Sequence, residues 1–193
     1  MAALFETLLA WDSAASALGE QVRWEPLTFV FLLASAWWVK WPLIAAVGSA
    51  VDAKRWRFPR ATCAAALAVT SAALLVTMFK ELVDRVRPPV ANPALDPVGL
   101  VPASASFPSG HAATAFAAAV AVAVIHPRLR VPLLALAAVV ALSRVYLGVH
   151  YVLDVAVGTA LGIAVGFAAA WLTRAVAARS GALVRSRTSA SPT

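Results

Sequence analysis

Long apolar stretches separated by short charged clusters restrict the fold of this chain more than any other feature. A helix needs about 20 apolar residues to cross the roughly 30 Å hydrocarbon core of a bilayer. We predict four spans, at 61–78, 112–125, 131–142 and 151–172, of which the second and third are shorter than this length. A further apolar stretch, 27–51, is interrupted by Lys40 and Pro42 and fits either one kinked span or two short helices that turn back partway. The sequence therefore predicts an all-α, polytopic transmembrane bundle of about five or six membrane helices.

The composition argues against several classes of protein. Hydrophobic residues make up 62% of the chain and charged residues 13%, whereas about 25% of a typical soluble protein is charged. The net charge of +7 does not indicate nucleic-acid binding, because the basic residues form short clusters between apolar stretches. Cys63 is the single cysteine, so neither an intramolecular disulfide nor a cysteine-based redox or metal motif is possible.

The basic clusters predict how the chain is oriented in the membrane. If the four spans alternate in direction, three clusters fall on one side: 54–60, 128–130 and 174–187. Cytoplasmic loops carry the excess of Lys and Arg, so that side is the cytoplasm. Three other unusual segments then meet at the outer face: 80–87, 108–111 and 144–154. We expect a multi-pass protein of the cell membrane, with a cytoplasmic C-terminus and a site that faces the periplasm or the exterior.

The domain organisation is predicted to be a single membrane domain, 1–176. Residues 1–22 fit an amphipathic helix in the membrane interface, and the proline-rich segment 88–107 is predicted as a loop without helix. Residues 177–193 form a basic, polar cytoplasmic tail, and we expect fraying from Arg174 onwards. Three glycines spaced four residues apart predict close helix packing, with a partner either inside the chain or in another copy: Gly158, Gly162 and Gly166.

The sequence Pro108-Ser109-Gly110-His111 is predicted to begin a helix. Serine is a favoured N-cap residue, and the first turn of a helix leaves backbone N–H groups free to point at one spot. These groups and the positive end of the helix dipole bind phosphate, and His111 adds a proton donor beside them. The same residues also make an ordinary helix start, so the flanking segments decide whether the site binds an anion.

Three cations are predicted beside this helix start. Lys80 and Arg87 are seven residues apart and share a helical face, and Arg144 ends the helix before the last span. Taken alone, Lys80, Arg85 and Arg87 also fit side chains that snorkel to the membrane interface. Together with Arg144 they can neutralise a phosphate dianion and the charge that grows on it during transfer.

His150 and Asp154 lie four residues apart and therefore on one helical face. They fit a structural pair, but a carboxylate about one turn inside an apolar span is costly and is usually functional. In the catalytic interpretation, His150 attacks phosphorus while Asp154 orients its ring and stabilises the imidazolium. The helix N-terminus disfavours protonation of His150, and His111 serves as acid and then as base. The outer carboxylates are too few for a two-metal centre, so we expect neither a metal nor a cofactor.

At these residues the sequence resembles the type 2 phosphatidic acid phosphatase (PAP2) superfamily. Its motifs K-x6-R-P, P-S-G-H and S-R-x5-H-x3-D match KELVDRVRP at 80–88, PSGH at 108–111 and SRVYLGVHYVLD at 143–154. The resemblance implies a helical membrane bundle, usually of six spans, and a metal-independent phosphatase with a phosphohistidine intermediate. It implies His150 as nucleophile, Asp154 as its partner and His111 as acid. The phosphate ligands that it implies are Lys80, Arg87, Ser109, Gly110 and Arg144.

The resemblance implies a phosphorylated lipid as substrate and leaves its headgroup open. Relatives act on prenyl diphosphates, phosphatidylglycerophosphate, phosphatidic acid or polyprenyl-phosphosugar phosphates, and some transfer the phosphate to another acceptor. Soluble relatives hold vanadate for haloperoxidase chemistry, against which the long apolar spans argue. A transporter would need ionisable groups across the membrane depth, whereas all but Lys40 gather near span ends on one side. A structural scaffold would leave the position of Asp154 unexplained.

Overall fold

The computed structural model describes residues 2–36 and 60–189, and these ranges contain helices and no strand. The helices in chain order are α1 (Ala2–Gln21), α2 (Glu25–Ser35), α3 (Arg60–Val83), α4 (Pro88–Ala91), α5 (Gly110–Ile125), a 3-10 turn (Pro127–Leu129), α6 (Arg130–Tyr146) and α7 (Val152–Ser189). Helices α3, α5, α6 and α7 correspond to the four predicted spans. Of the stretch 27–51, only the beginning is described, as part of α2, so its number of crossings lies outside the described residues.

Helix α5 occupies the centre of the bundle, where α3, α6 and α7 pack around it. Its residues are mostly alanine and valine; 11 of the 16 are buried and the other five are half-buried. Small side chains allow neighbouring helix axes to approach closely, so a helix of 16 residues is enclosed on every side. At 1.5 Å per residue α5 is about 24 Å long, which is shorter than a bilayer core.

The three glycines of α7 face α5 within the same chain, which answers the question that the sequence left open. A Cβ atom at Gly158 would lie 2.5 Å from the carbonyl oxygen of Ser109, and one at Gly166 would lie 2.7 Å from that of Ala117. Gly162 approaches the carbonyl oxygen of Ala113 in the same way. Only glycine permits this contact, so the spacing of four residues aligns α7 with the start of α5.

Within residues 2–36 and 60–189, three helical segments are long and apolar enough to cross a membrane: Arg60–Ala91, Pro127–Tyr146 and Val152–Arg179. Helix α5, at 16 residues, and α2, at 11, are shorter apolar helices. The fold is therefore that of a helical membrane protein. The expected total of five or six membrane helices is not confirmed by the residues described.

Two local predictions were wrong. The segment 88–107 is not entirely a loop, because Pro88–Ala91 forms the single turn of α4. Proline fits the first positions of a helix, where its missing N–H is not needed. The tail that was expected to fray from Arg174 is also helical, since α7 continues to Ser189 through a stretch in which half of the residues are alanine or arginine, both of which favour helix.

Four helix termini converge at one end of the bundle: the end of α3, the start of α5, the end of α6 and the start of α7. The opposite end is closed by a cluster of Ala61, Ala65 and Val122, which packs the beginning of α3 against the end of α5. The three motif segments therefore lie at the same end. Helix α1 contacts this end as well, because Ser16 accepts a hydrogen bond from the N–H of Val152.

Candidate active site

The side chain of His150 lies in the short connection between α6 and α7 and is almost completely buried. Its backbone N–H donates to the carbonyl oxygen of Arg144 over 3.2 Å, which fixes the connection against the end of α6. Its Nε2 atom lies 3.2 Å from Nη1 of Arg87, and its Nδ1 atom lies 3.4 Å from Oδ2 of Asp154. A guanidinium can only donate, so Nε2 is the acceptor and the ring proton is assigned to Nδ1, facing Asp154.

Burial lowers the pKa of His150 from 6.5 to about 4. The hydrogen bond to Asp154 opposes this shift, and the positive charges of Arg87 and Arg144 add to it. The direction agrees with the expectation from the sequence, but burial rather than the helix dipole is the main cause. At neutral pH the ring is uncharged and Nε2 carries a lone pair. This lone pair accepts from Arg87 here and can attack an electrophile once that hydrogen bond is broken.

Asp154 is completely buried and all of its hydrogen bonds come from the surrounding site. Its Oδ2 atom accepts from the N–H of Tyr151 over 3.0 Å and from the hydroxyl of Ser106. Its Oδ1 atom accepts from Nη1 of Arg85 over 2.7 Å. These bonds compensate the carboxylate for the loss of water and fix its position beside Nδ1 of His150.

Arg87 and Lys80 are held by the backbone that leads into α5. The Nε atom of Arg87 donates to the carbonyl oxygen of Ser104 over 2.8 Å, and its Nη1 donates to that of Val149 over 2.8 Å. Lys80 donates to the carbonyl oxygen of Ala105, which also accepts from Nη2 of Arg87 over 3.2 Å. The two cations predicted from the first motif therefore converge on one loop, and Arg87 contacts the histidine of the third motif.

Ser109 occupies the N-cap position of α5, as predicted, but its side chain does not cap the helix. Its backbone N–H donates to the carbonyl oxygen of Asp154 over 3.0 Å, so this group is not free for an anion as the sequence suggested. Among the described residues, the Oγ of Ser109 and the Nε of Arg144 are buried polar atoms without a hydrogen-bond partner. An unpaired buried polar atom is costly, and in a site of this kind a bound ion or water can supply the missing partner.

Gly110 and His111 form the first turn of α5, directly after Ser109. The Nε2 atom of His111 lies 3.2 Å from the carbonyl oxygen of Ser35, at the end of α2. The hydroxyl of Ser35 lies 2.7 Å from that of Ser143, which precedes Arg144 in the third motif. Helix α2 therefore connects His111 to the end of α6.

Three further residues belong to this site and were not predicted from the sequence: Arg85, Ser106 and Asp12. Arg85 lies inside the first motif segment, where it resembles a side chain that snorkels to the interface, yet only 16% of its side chain is exposed. Ser106 is completely buried beside Asp154, and its position shortly before Pro108 was an available signal. Asp12 contacts Arg85 from α1, 73 residues away, and nothing in the local sequence indicated it.

Comparison with known proteins identifies the family. The sequence profile of the PAP2 superfamily matches residues 61–177, which is more than half of the chain. The chain belongs to the PAP2 superfamily. The match begins with α3 and extends into α7, and it includes all three motif segments that meet in the site. As a PAP2 protein with phosphatases as its relatives, this chain is a membrane-bound enzyme of the phosphatase class.

The PAP2 relatives are similar over most of this chain. It is 38% identical over 132 residues to the decaprenylphosphoryl-5-phosphoribose phosphatase of Mycobacterium tuberculosis, a match covering 66% of this chain and 68% of the relative. It is 36% identical over 124 residues to the lipid A 1-phosphatase of Rhizobium johnstonii, covering 61% of this chain and 48% of the relative.

Two solved structures share the architecture of this chain. A transmembrane PAP2-type phosphatidylglycerolphosphate phosphatase from Bacillus subtilis superimposes with a TM-score of 0.74 at 27% identity, over 88% of each chain. LpxE of Aquifex aeolicus superimposes with a TM-score of 0.65 at 26% identity, over 80% of this chain and 91% of its own. Both matches cover more of this chain than the family profile does, so the likeness extends beyond 61–177.

Proposed function

We propose that this PAP2 protein is a lipid phosphatase that hydrolyses a phosphomonoester or diphosphate through a phosphohistidine on His150. The observation that carries the proposal is the buried contact of His150 with a cation on one side and a carboxylate on the other. Arg87 lies 3.2 Å from Nε2, and Asp154 lies 3.4 Å from Nδ1. A nucleophile backed by an acidic partner, with a phosphate-binding cation beside its reactive atom, fits phosphoryl transfer.

In the first step, Nε2 of His150 forms a bond to phosphorus as the bond from phosphorus to the leaving oxygen breaks. The proton on Nδ1 stays between His150 and Asp154, so the imidazolium that forms is stabilised by a buried carboxylate. His111 donates a proton to the leaving oxygen. In the second step, His111 removes a proton from water, the water oxygen attacks phosphorus, and the phosphorus–nitrogen bond breaks to release inorganic phosphate.

The phosphate oxygens are assigned to the cations and to the start of α5. Lys80, Arg87 and Arg144 supply positive charge, and Ser109 with Gly110 supplies donors at the helix N-terminus. The unpaired Oγ of Ser109 and Nε of Arg144 support this assignment, because a bound phosphate oxygen would satisfy both atoms. Each of these groups also stabilises the charge that develops in the transition state, so no metal ion is required in this scheme.

A phosphorylated lipid is the substrate that the relatives support. Their names specify decaprenylphosphoryl-5-phosphoribose, lipid A and phosphatidylglycerolphosphate, all of which are phosphorylated lipids. The site lies at one end of a membrane bundle, where a headgroup can enter while its chains stay in the bilayer. The arginines at the opposite end, Arg60, Arg128 and Arg130, support an orientation with the site on the outer face.

A phosphate-release panel tests the proposal. The purified protein, in detergent micelles with a chelator of divalent cations, is given polyprenyl diphosphate, phosphatidic acid, phosphatidylglycerophosphate and a polyprenyl-phosphosugar phosphate. We expect release of inorganic phosphate from at least one lipid and its loss in His150→Ala, with Thr173→Val as a matched control far from the site. Full turnover by His150→Ala would contradict the proposed nucleophile. A requirement for an added divalent cation would contradict the metal-independent scheme.

A further inference from the structure

The guanidinium of Arg85 bridges two carboxylates that come from opposite ends of the sequence. Its Nη1 donates to Oδ1 of Asp154 and its Nη2 donates to Oδ2 of Asp12, each over 2.7 Å. The guanidinium also lies over the ring of Tyr151, 3.8 Å from the ring centroid. A fork of two parallel donors is well suited to hold two acceptors in a fixed relative position.

Asp12 belongs to α1, outside the residues that the family profile matches, yet it is 8% exposed. Its Oδ1 atom accepts from the N–H of Leu153 over 2.8 Å. Ser16, one turn later in α1, accepts from the N–H of Val152 over 3.2 Å. The first N–H groups of α7 thus find their acceptors in α1, on the turn that carries Asp154.

We propose that Asp12 is a positioning residue for the active site, acting through Arg85 on Asp154. This inference rests on the proposed function, in which Asp154 stabilises the imidazolium of His150. Asp12 accepts from one of the two terminal nitrogens of Arg85, so the positive charge of Arg85 is balanced by two carboxylates. Arg85 is therefore kept as an orienting contact to one oxygen of Asp154, and the other oxygen faces His150.

Charge explains why a second carboxylate is needed. Without Asp12, Asp154 would be the single acidic partner of Arg85 among the described residues. Arg85 would then neutralise the negative charge of Asp154 more completely. One terminal nitrogen of Arg85 would also be free to turn toward the phosphate. Asp12 thus preserves the negative charge that His150 needs during attack.

The test compares Asp12→Asn, Arg85→Gln and the double variant in full-length protein, with a lipid that the wild type hydrolyses. Asparagine keeps an oxygen acceptor for the N–H of Leu153 and removes the charge that holds Arg85. We expect kcat to fall about tenfold in Asp12→Asn with KM within threefold of wild type, because a charged hydrogen bond away from the phosphate is lost. The double variant should match Arg85→Gln alone, because Asp12 acts only through Arg85.

Two controls separate positioning from stability. Ser16→Ala removes the neighbouring contact to α7 without touching Arg85, so it should lower Tm and leave kcat within threefold of wild type. Asp96→Asn makes the same chemical change at a side chain that is 93% exposed and should change neither.

The outcomes distinguish this inference from the proposed function. An active wild type whose kcat is unchanged by Asp12→Asn overturns the inference alone. So does a double variant whose loss is the product of the two single losses, because Asp12 would then act independently of Arg85. A kcat loss in Ser16→Ala equal to that in Asp12→Asn would assign the effect to helix capping and also overturn it. A wild type inactive toward every lipid of the panel overturns both the inference and the proposed function.

Discussion

At the scale of single residues, His150 has a buried ring whose two nitrogens each contact a charged side chain, one positive and one negative. Arg87 contacts Nε2 and Asp154 contacts Nδ1, so the two contacts act on protonation in opposite directions. Burial decides the balance and keeps the ring neutral well below physiological pH. Burial therefore keeps the nucleophile neutral next to a phosphate-binding cation. An exposed histidine would lack this effect of burial on its pKa.

The pKa of His150 predicts a pH dependence of stability. The pKa is 6.5 in the unfolded chain and about 4 in the folded protein, so between these values the unfolded state binds more protons. Acidification from pH 6.5 to 4 therefore destabilises the fold, and a rise in pH restores it. We expect the Tm of wild type in micelles to fall over this window more steeply than that of His150→Asn. Equal slopes for the two proteins would contradict the assigned shift.

The hydroxyl of Ser109 predicts a variant that loses activity without losing stability. The Oγ atom is buried and makes no hydrogen bond within the described residues, so its removal breaks no contact of the folded protein. A hydrogen bond to a charged group is worth roughly 1.5–3 kcal/mol, so Ser109→Ala should lower kcat/KM by at least about tenfold. Its Tm should stay within about one degree of wild type. A large fall in Tm with little change in kcat/KM would show that the hydroxyl is structural.

At the scale of helices, the packing of α7 on α5 connects the third motif to the second. The carbonyl oxygen of Asp154 accepts from the N–H of Ser109, and Gly158 lets the two backbones meet at this level. Gly162 and Gly166 continue the contact along the helix. The contact between α5 and α7 therefore contributes to the stability of the bundle and also positions Asp154 relative to Ser109.

Two glycine substitutions should separate these roles. A Cβ at Gly158 meets the carbonyl oxygen of Ser109 at 2.5 Å, so Gly158→Ala displaces the start of α5 and should lower both Tm and kcat/KM. Gly166→Ala meets Ala117 and Val120, far along the helix, and should lower Tm by an overpacking cost of about 1–3 kcal/mol with a smaller loss of activity. Ala164→Leu, on an exposed face of α7, is the control. Equal activity losses in the two glycine variants would contradict the assigned roles.

The helices also show how far the sequence alone could reach. Apolar stretches predicted α3, α5, α6 and α7, because hydropathy is a local signal. The motifs placed Lys80, Arg87 and His150 at one end of the bundle, where Arg87 contacts His150. The contact of Asp12 with Arg85 joins positions 73 residues apart and has no local signal. The sequence also did not show that the N–H of Ser109 donates to the carbonyl oxygen of Asp154, because that hydrogen bond depends on how α7 packs on α5.

At the scale of the whole molecule, every charged group of the site lies at one end of the bundle and several arginines lie at the other. The apolar cluster of Ala61, Ala65 and Val122 closes the second end. Helix α1 crosses the site end, where Asp12 contacts Arg85 and Glu20 accepts from the N–H of Asp96 over 2.7 Å. The N-terminal helix thus contacts the first motif, the third motif and the loop that follows the first motif.

The proposed orientation predicts which positions are labelled from outside the cell. In a Cys63→Ser background, a cysteine at Asp96 should react with a membrane-impermeant maleimide in intact cells, or in cells with a permeabilised outer membrane. A cysteine at Arg128 should react only after the inner membrane is opened, because it lies at the opposite end of α5. The reverse pattern of labelling would place the site on the cytoplasmic face.

The most direct test of the account is to trap the covalent phosphoenzyme. Wild-type protein is mixed with a lipid substrate labelled on its phosphate, denatured in alkali within milliseconds to preserve a phosphohistidine, and digested for mass spectrometry. The account predicts a phosphoryl group on His150, lost in His150→Ala and accumulating in His111→Ala if the second step slows more than the first. Phosphate on another residue, or undiminished turnover in His150→Ala, would contradict it.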